Sequence, residues 1–394
     1  MGRLNRAWRQ LPVDGQGLLA QDDPALGPLR NWAVALFWQR VPRWSRPFLV
    51  PLTRLAWGLA ALLRVRRFAR RQKLERSQAR QLAEDCLRSG AQPVEAFIWR
   101  SVFSSPKCHP LPARAAGTLL SRLGSPEEHR LLADKLATAE LLSGAGLATP
   151  PLRDAIPRGG SIDPTASTWA TEGHLFVKPR HGSASRGTIA IDALPGSVWR
   201  IDGDLSLVGP EMLESLIAAA AATDSLLVQA RLDPGPELAD LATAGPAPVL
   251  RLNAARHRGG APFLHSALLT IDVPGEHRRH FIRGQIRAPV DPTNGEMTSG
   301  VWFLRPAERY ARLPWNEARV AGRPLLGFHE AVAMVLRAME LVPNLPLVNW
   351  DLILTAQGPV ILEGNTGGDW ILTSLAAVAG LETLPLAPML REWT

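Results

Sequence analysis

The stretch Asn349 to Asn365, NWDLILTAQGPVILEGN, constrains the fold more than any other part of the chain. Two apolar runs, Val348 to Leu354 and Pro359 to Glu363, flank Thr355-Ala356-Gln357-Gly358, the signature of an antiparallel hairpin. Such a hairpin brings Asp351 and Glu363 side by side, and Asn365, two residues beyond Glu363, projects to the same side of an extended chain. Two carboxylates and an amide oxygen at one point form a hard-oxygen site of the kind Mg²⁺ prefers. Solvated polar residues at strand ends are the plainer alternative. Against it, Asp351 sits between Trp350 and Leu352, and Glu363 follows Val360-Ile361-Leu362, where burial is costly without a cation.

The rest of the chain alternates helices and strands in a way that fits α+β and not a doubly wound parallel sheet. Ser125-Pro126-Glu127-Glu128 opens a helix that the spacing carries to Gly144 and Gly146, placing Asp134 and Lys135 mid-helix. Pro150 to Ser167 reads as a Pro/Gly/Ser-rich connection, after which strands begin. His174 to Lys178 is a buried strand and Thr188 to Asp192 its return. Glu211 to Ala222 is a helix, Leu226 to Gln229, Val249 to Ala254 and Leu264 to Ile271 are strands, and Leu325 to Leu341 is a long helix.

Charge divides the chain. Its 394 residues carry 44 Lys+Arg and 36 Asp+Glu, a net of +8, but residues 1–100 hold 18 basic and 7 acidic residues, a net of +11. The remaining 26 basic and 29 acidic residues give the body a net of −3. A basic region on a mildly acidic body argues against a protein that grips a phosphate backbone throughout, and no nucleic-acid-binding motif is present. In the basic region Leu52, Leu55, Leu59, Leu62 and Leu63 recur at helical spacing and run into Arg64, Arg66, Arg67, Arg70, Arg71 and Lys73. The commoner fate of such a face is packing on the rest of the protein, with the arginines solvated. The other is an interfacial helix over residues 40–75, resting on an anionic membrane surface. The run Pro47 to Leu63 is too short to span a bilayer. Two cysteines, Cys86 and Cys108, and an opening without an apolar signal region fit a reduced, cytoplasmic setting.

Two further positions can carry chemistry. Lys178 ends a buried strand just before a small-residue loop with Gly182, Ser183, Ser185 and Gly187, able to offer a point charge and backbone N–H groups to a polyphosphate. Gly/Ser turns also join ordinary hairpins, and the loop is not a Walker A motif. Arg251, within VLRLN, needs an anionic partner on one face of its strand: a phosphate, or an acid in a structural salt bridge. His277 and His280 lack a second ligand pair for zinc, and no G-x-S-x-G elbow occurs.

In chain order, Asp134-Lys135 on a helix ending GAGLATP, FVKPRHGSASRG, LLVQARL, VLRLNAAR, VNWDLIL and VILEGN resemble the ATP-grasp superfamily from about Leu131 to Trp370. The details are most similar to its sugar-transfer-associated group, related to glutamate ligases. The resemblance implies two α+β lobes clamping ATP, preceded by a basic, mainly helical N-terminal region: residues 1–110, then an ATP-grasp domain over 111–394 with lobe 1 at about 165–230 and lobe 2 at about 231–394. By position Lys178 meets the adenine and α-phosphate, Lys135 is a second nucleotide-side lysine, and Gln229 to Leu232, with Arg231, form the interlobe hinge. Arg251 reaches the transferring phosphate, and Asp351, Glu363 and Asn365 hold Mg²⁺. Two departures stand out: Gln229 and Arg231 replace an acidic hinge residue, leaving Glu237 as the substitute for the ribose, and Ser183-Ala184-Ser185-Arg186 replaces a more glycine-rich loop.

The activity implied is an ATP-dependent, ADP-forming carboxylate–amine ligase working through an acyl phosphate on a small-molecule acid and an amine or sugar-linked substrate. Arg283 and Arg287 are candidates to meet the acceptor carboxylate. The alternatives are a phosphotransferase that stops at phosphoryl transfer and an ATP-binding scaffold of a membrane glycan-synthesis complex.

Overall fold

A computed structural model describes residues 42–102, 120–167, 173–182, 187–201, 207–242, 246–275, 284–302, 305, 308–366 and 386–394. The N-terminal helices are α1 (Arg46–Arg71), α2 (Arg76–Ser89) and α3 (Pro93–Val102). They bury Val65, Leu82, Cys86, Ala91, Ala96 and Trp99 in a core of their own. A capping box on Glu75 and Gln78 starts α2, a left-handed Gly90 ends it, and Arg100 clamps Asp85 with two hydrogen bonds of 2.8 and 2.6 Å. The expected packing of the leucines onto the rest of the protein is not what the chain adopts. α1 turns Ala61, Val65 and Ala69 inward, and Leu52, Leu55, Leu59, Leu62 and Leu63 are exposed.

The helix read as continuous from Pro126 to Gly144 is two. α4 (Pro126–Ala133) starts on Ser125, whose hydroxyl accepts from the Glu128 N–H, and α5 (Lys135–Gly144) starts on Asp134. Asp134 adopts extended backbone, and its carboxylate accepts the N–H groups of Leu136 and Ala137. The aspartate therefore ends one helix by capping the next, a competition between side chain and backbone that periodicity alone does not resolve.

Strands β1 (Leu152–Ile156), β2 (His174–Pro179), β3 (Ile189–Leu194), β4 (Val198–Ile201), β5 (Leu207–Val208) and β6 (Leu226–Ala230) form one sheet in the order β1-β6-β2-β3-β4-β5. Its first strand lies within the segment expected as a connection, so this sheet begins at Leu152, ahead of residue 165. α6 (Pro210–Ala221) buries Leu213, Ile217 and Ala221 with Leu175, Val177 and Val228 of the sheet.

The second sheet orders β7 (Val249–Arg256), β8 (Pro262–Asp272), β9 (Gln285–Val290), β10 (Val301–Trp302), β11 (Leu347–Thr355) and β12 (Gly358–Asn365) as β10-β9-β8-β7-β11-β12. Every pairing in both sheets is antiparallel, as α+β requires. α7 (Phe328–Glu340) covers one face, packing Phe328, Ala331, Val335 and Met339 with Leu250, Leu252, Trp350, Leu352 and Ile361. That core claims alternate residues of β7 and β11, so Arg251, Asn253, Asn349 and Asp351 emerge on the opposite face. A short helix α8 (Leu386–Arg391) closes the described chain. No helix among the described residues is long and apolar enough to cross a membrane.

Candidate active site

The hairpin places Asp351 directly across from Glu363, Asn349 across from Asn365, and Asp351 also across from Arg251 of β7. Strict alternation along β12 would set Glu363 on the same face as Ile361, which lies in the core. A bulge intervenes: Asp351 pairs with Glu363 and Leu352 with Ile361, leaving Leu362 as the extra residue. It turns Glu363 and Asn365 to the site face and frees the Leu362 carbonyl, which accepts from Lys178 Nζ at 3.4 Å. Gly364 faces Trp350, and a Cβ there would lie 2.8 Å from the indole ring, which explains the glycine between Glu363 and Asn365.

Arg251 holds Asp351 by two parallel hydrogen bonds of 2.7 and 2.8 Å, both side chains nearly buried. Of the two partners open to Arg251, the described chain supplies the acid. Asn365 Nδ2 lies 3.2 Å from Asp351 Oδ2 and 3.2 Å from Glu363 Oε1, and Lys135 Nζ lies 3.8 Å from Glu363 Oε2. Burial pushes the Asp351 carboxyl up, opposed by Arg251. Burial also pulls the Lys178 ammonium, 6% exposed, down to about 8, against the attraction of Glu363. Three cations and two carboxylates from α5, β2, β7, β11 and β12 thus meet at one point.

Lys135 has a second contact, donating to the Gly182 carbonyl at 2.8 Å, and its backbone N–H donates to the Arg180 carbonyl. Arg180 grips both oxygens of Asp134 at 2.8 and 2.6 Å, which holds the Asp134 carboxyl below its ordinary range. Asp134 was legible only as a helical residue; here it fixes Lys135 against the loop. Gly182 and Gly187 flank that loop with positive φ of 113° and 75°. Ser183 and Ser185, like Arg283, lie outside the described residues.

The hinge residues separate. Gln229 is buried in β6, opposite Phe176, and Arg231 turns into the first sheet to meet Asp192 at 2.6 Å. The Gly235 N–H donates to the Leu354 carbonyl and so ties the connection to the end of β11. Glu237 folds back toward Gly235, close enough to collide with a Cβ there. Arg287 lies buried on β9 with its guanidinium donating to Gln285.

Sequence reasoning missed the polar row beside the carboxylates. Asn253 stands across from Asn349 and Ser266, donating to the Ser266 hydroxyl at 2.8 Å. The amide oxygens of Asn253 and Asn349 are buried without a hydrogen-bond partner among the described residues. The signal was present as a polar residue at alternate positions of two apolar strands.

The fold family implies a divalent cation, and the donor set fits one. Asp351 and Glu363 supply hard oxygens in direct register, and turning the Asn365 amide over would add its Oδ1 in place of Nδ2. Among the described residues no three His, Cys, Asp or Glu side chains gather as a metal cluster.

The sequence matches the family described as sugar-transfer associated ATP-grasp over residues 115–386, more than half of the chain. The chain belongs to that family. Similar solved structures include D-alanine–D-alanine ligase from Bacillus anthracis, 14% identical over 71% of this chain and 74% of that one, with a TM-score of 0.41. They also include D-alanyl-alanine synthetase A from Vibrio cholerae, 14% identical over 68% of each chain with a TM-score of 0.43. Biotin carboxylase from Campylobacter jejuni is 10% identical over 69% of this chain and 48% of that one, with a TM-score of 0.43. No curated protein matches the chain.

Proposed function

We propose that this chain is an ATP-dependent, ADP-forming ligase that joins a carboxylate to an amine or related nucleophile through an acyl phosphate, with a glycan or sugar-linked precursor as one substrate. The observation that carries the reading is the meeting of Lys135, Lys178 and Arg251 with Asp351 and Glu363. This is the charge pattern a triphosphate and a cation need, without a side-chain nucleophile. The family's association with sugar transfer supports the sugar-linked substrate.

In this reading Lys178 and Lys135 neutralise the phosphates. The hinge from Gln229 to Leu232 takes the adenine, Glu237 the ribose, and Arg251 the transferring phosphoryl group. Asp351, Glu363 and Asn365 would hold Mg²⁺, which would screen the charge that builds on the γ-phosphoryl oxygens. An oxygen of the acid substrate attacks the γ-phosphorus and ADP leaves. The nucleophile then adds to the acyl carbon, inorganic phosphate departs, and the amine surrenders its proton. The chain's part is to orient the two reactants and exclude water.

Purified protein with Mg·ATP, a panel of amino and uronic acids and a panel of amines is expected to release ADP and phosphate in equal amounts only when both acceptors are present. ADP without free phosphate would make it a kinase; no turnover beside intact ATP binding would make it a scaffold.

A further inference from the structure

The Lys–carboxylate site leaves α1 unexplained. One side of this 26-residue helix packs on α2 and α3 through Val65 and Phe68, in a cluster separate from the cores of the two sheets. On the other side Phe48, Leu52, Leu55, Leu59, Leu62 and Leu63 are 76%, 61%, 60%, 57%, 44% and 68% exposed. At 3.6 residues per turn they fall within an arc of about 100° and run for about 22 Å. Trp44, in the turn before the helix, is also exposed. A protein surface does not ordinarily leave so continuous an apolar stripe without a partner.

The residues beyond the stripe identify the partner. Arg66 and Arg70 continue the same line of the helix surface, with Arg67 and Arg71 beside them, all exposed, and α1 contains no acidic residue. The occupant must be apolar along the first turns and anionic along the last. A second copy of α1 does not meet that need: parallel packing sets arginines on arginines, and antiparallel packing sets them on leucines. An anionic phospholipid surface does, since acyl chains accept the leucines, headgroup phosphates accept the guanidiniums and Trp44 suits the interface.

We propose that α1 docks the protein in the plane of an anionic phospholipid bilayer, with Phe48 to Leu63 immersed and Arg66 to Arg71 on the headgroups.

The test is flotation of the full chain with vesicles of phosphatidylcholine alone and of phosphatidylcholine with about 30% phosphatidylglycerol. Binding is expected on the anionic vesicles and to be at least ~10-fold weaker on the neutral ones. Each arginine near the surface contributes about five-fold, so R66Q/R67Q/R70Q/R71Q should lower partitioning by ~100-fold or more, as should L55E/L59E. Both variants alter exposed side chains, and circular dichroism checks that the helices persist. No binding, equal binding to both vesicles, or wild-type binding by L55E/L59E would overturn the proposal. So would a vesicle-free dimer in sedimentation that L55E/L59E dissociates, which would give the stripe to a second copy.

Discussion

Replacing Lys178 with methionine should make the protein more stable while removing its affinity for ATP. Lys178 is buried, makes one 3.4 Å contact with a carbonyl, and has its ammonium pulled from 10.5 to about 8, chiefly by burial. At 1.36 kcal/mol for each tenfold change in proton affinity, the charged form costs about 3 kcal/mol on folding. A methionine of similar length removes that cost and forgoes a hydrogen bond of about 1 kcal/mol. The net gain is about 2 kcal/mol, a rise in Tm of ~4–8 °C. The pH dependence has a definite sign. Between about 8 and 10.5 the unfolded lysine keeps a proton that the folded one has lost, so wild-type stability rises with pH across that window. The advantage of Lys178→Met should therefore be full at pH 7 and fade from pH 8 towards 10.5. Differential scanning fluorimetry with and without Mg·ATP measures both effects. A lower Tm at pH 7, or a variant that still gains Tm from Mg·ATP, would refute the placement of this charge.

Arg251→Met leaves Asp351 buried and unpaired, and should lower stability by about 3 kcal/mol in urea denaturation; Arg251→Met with Asp351→Leu should recover most of it. Glu363→Gln should keep the fold yet abolish the Mg²⁺-dependent part of the ATP thermal shift, read by titrating Mg²⁺ at fixed nucleotide. Asp134→Ala loses the cap of α5 and the Arg180 clamp, about 2 kcal/mol together, whereas Asp134→Asn keeps most of the cap. Because the Asp134 carboxyl is held low, its contribution is present above the ordinary carboxylate range and lost as pH falls below it, so urea midpoints of wild type and Asp134→Asn should converge in acid.

The hairpin, the second sheet's apolar strands and the antiparallel α+β pattern were legible because alternation and turn chemistry are local. The carboxylates were found for the same reason. The bulge at Leu362 was not, since an extra residue leaves no mark on an apolar run; only the finished register shows why Glu363 faces Asp351 while Ile361 faces the core. The break at Asp134 was hidden because an aspartate inside a helical pattern reads the same whether it faces solvent or caps the next helix. The partners of Arg251 and Arg231 depend on strands distant in sequence. The exposure of the leucine stripe depends on which face α2 and α3 select, and composition gives that choice no weight.

Oxygen transfer tests acyl-phosphate chemistry most directly. With the acid substrate labelled with ¹⁸O in its carboxylate, and with unlabelled water, ATP and amine, one labelled oxygen should appear in each phosphate released, as mass spectrometry of the phosphate would show. Turnover that yields ADP and wholly unlabelled phosphate would contradict attack by the carboxylate on the γ-phosphorus, and with it the ligase reading.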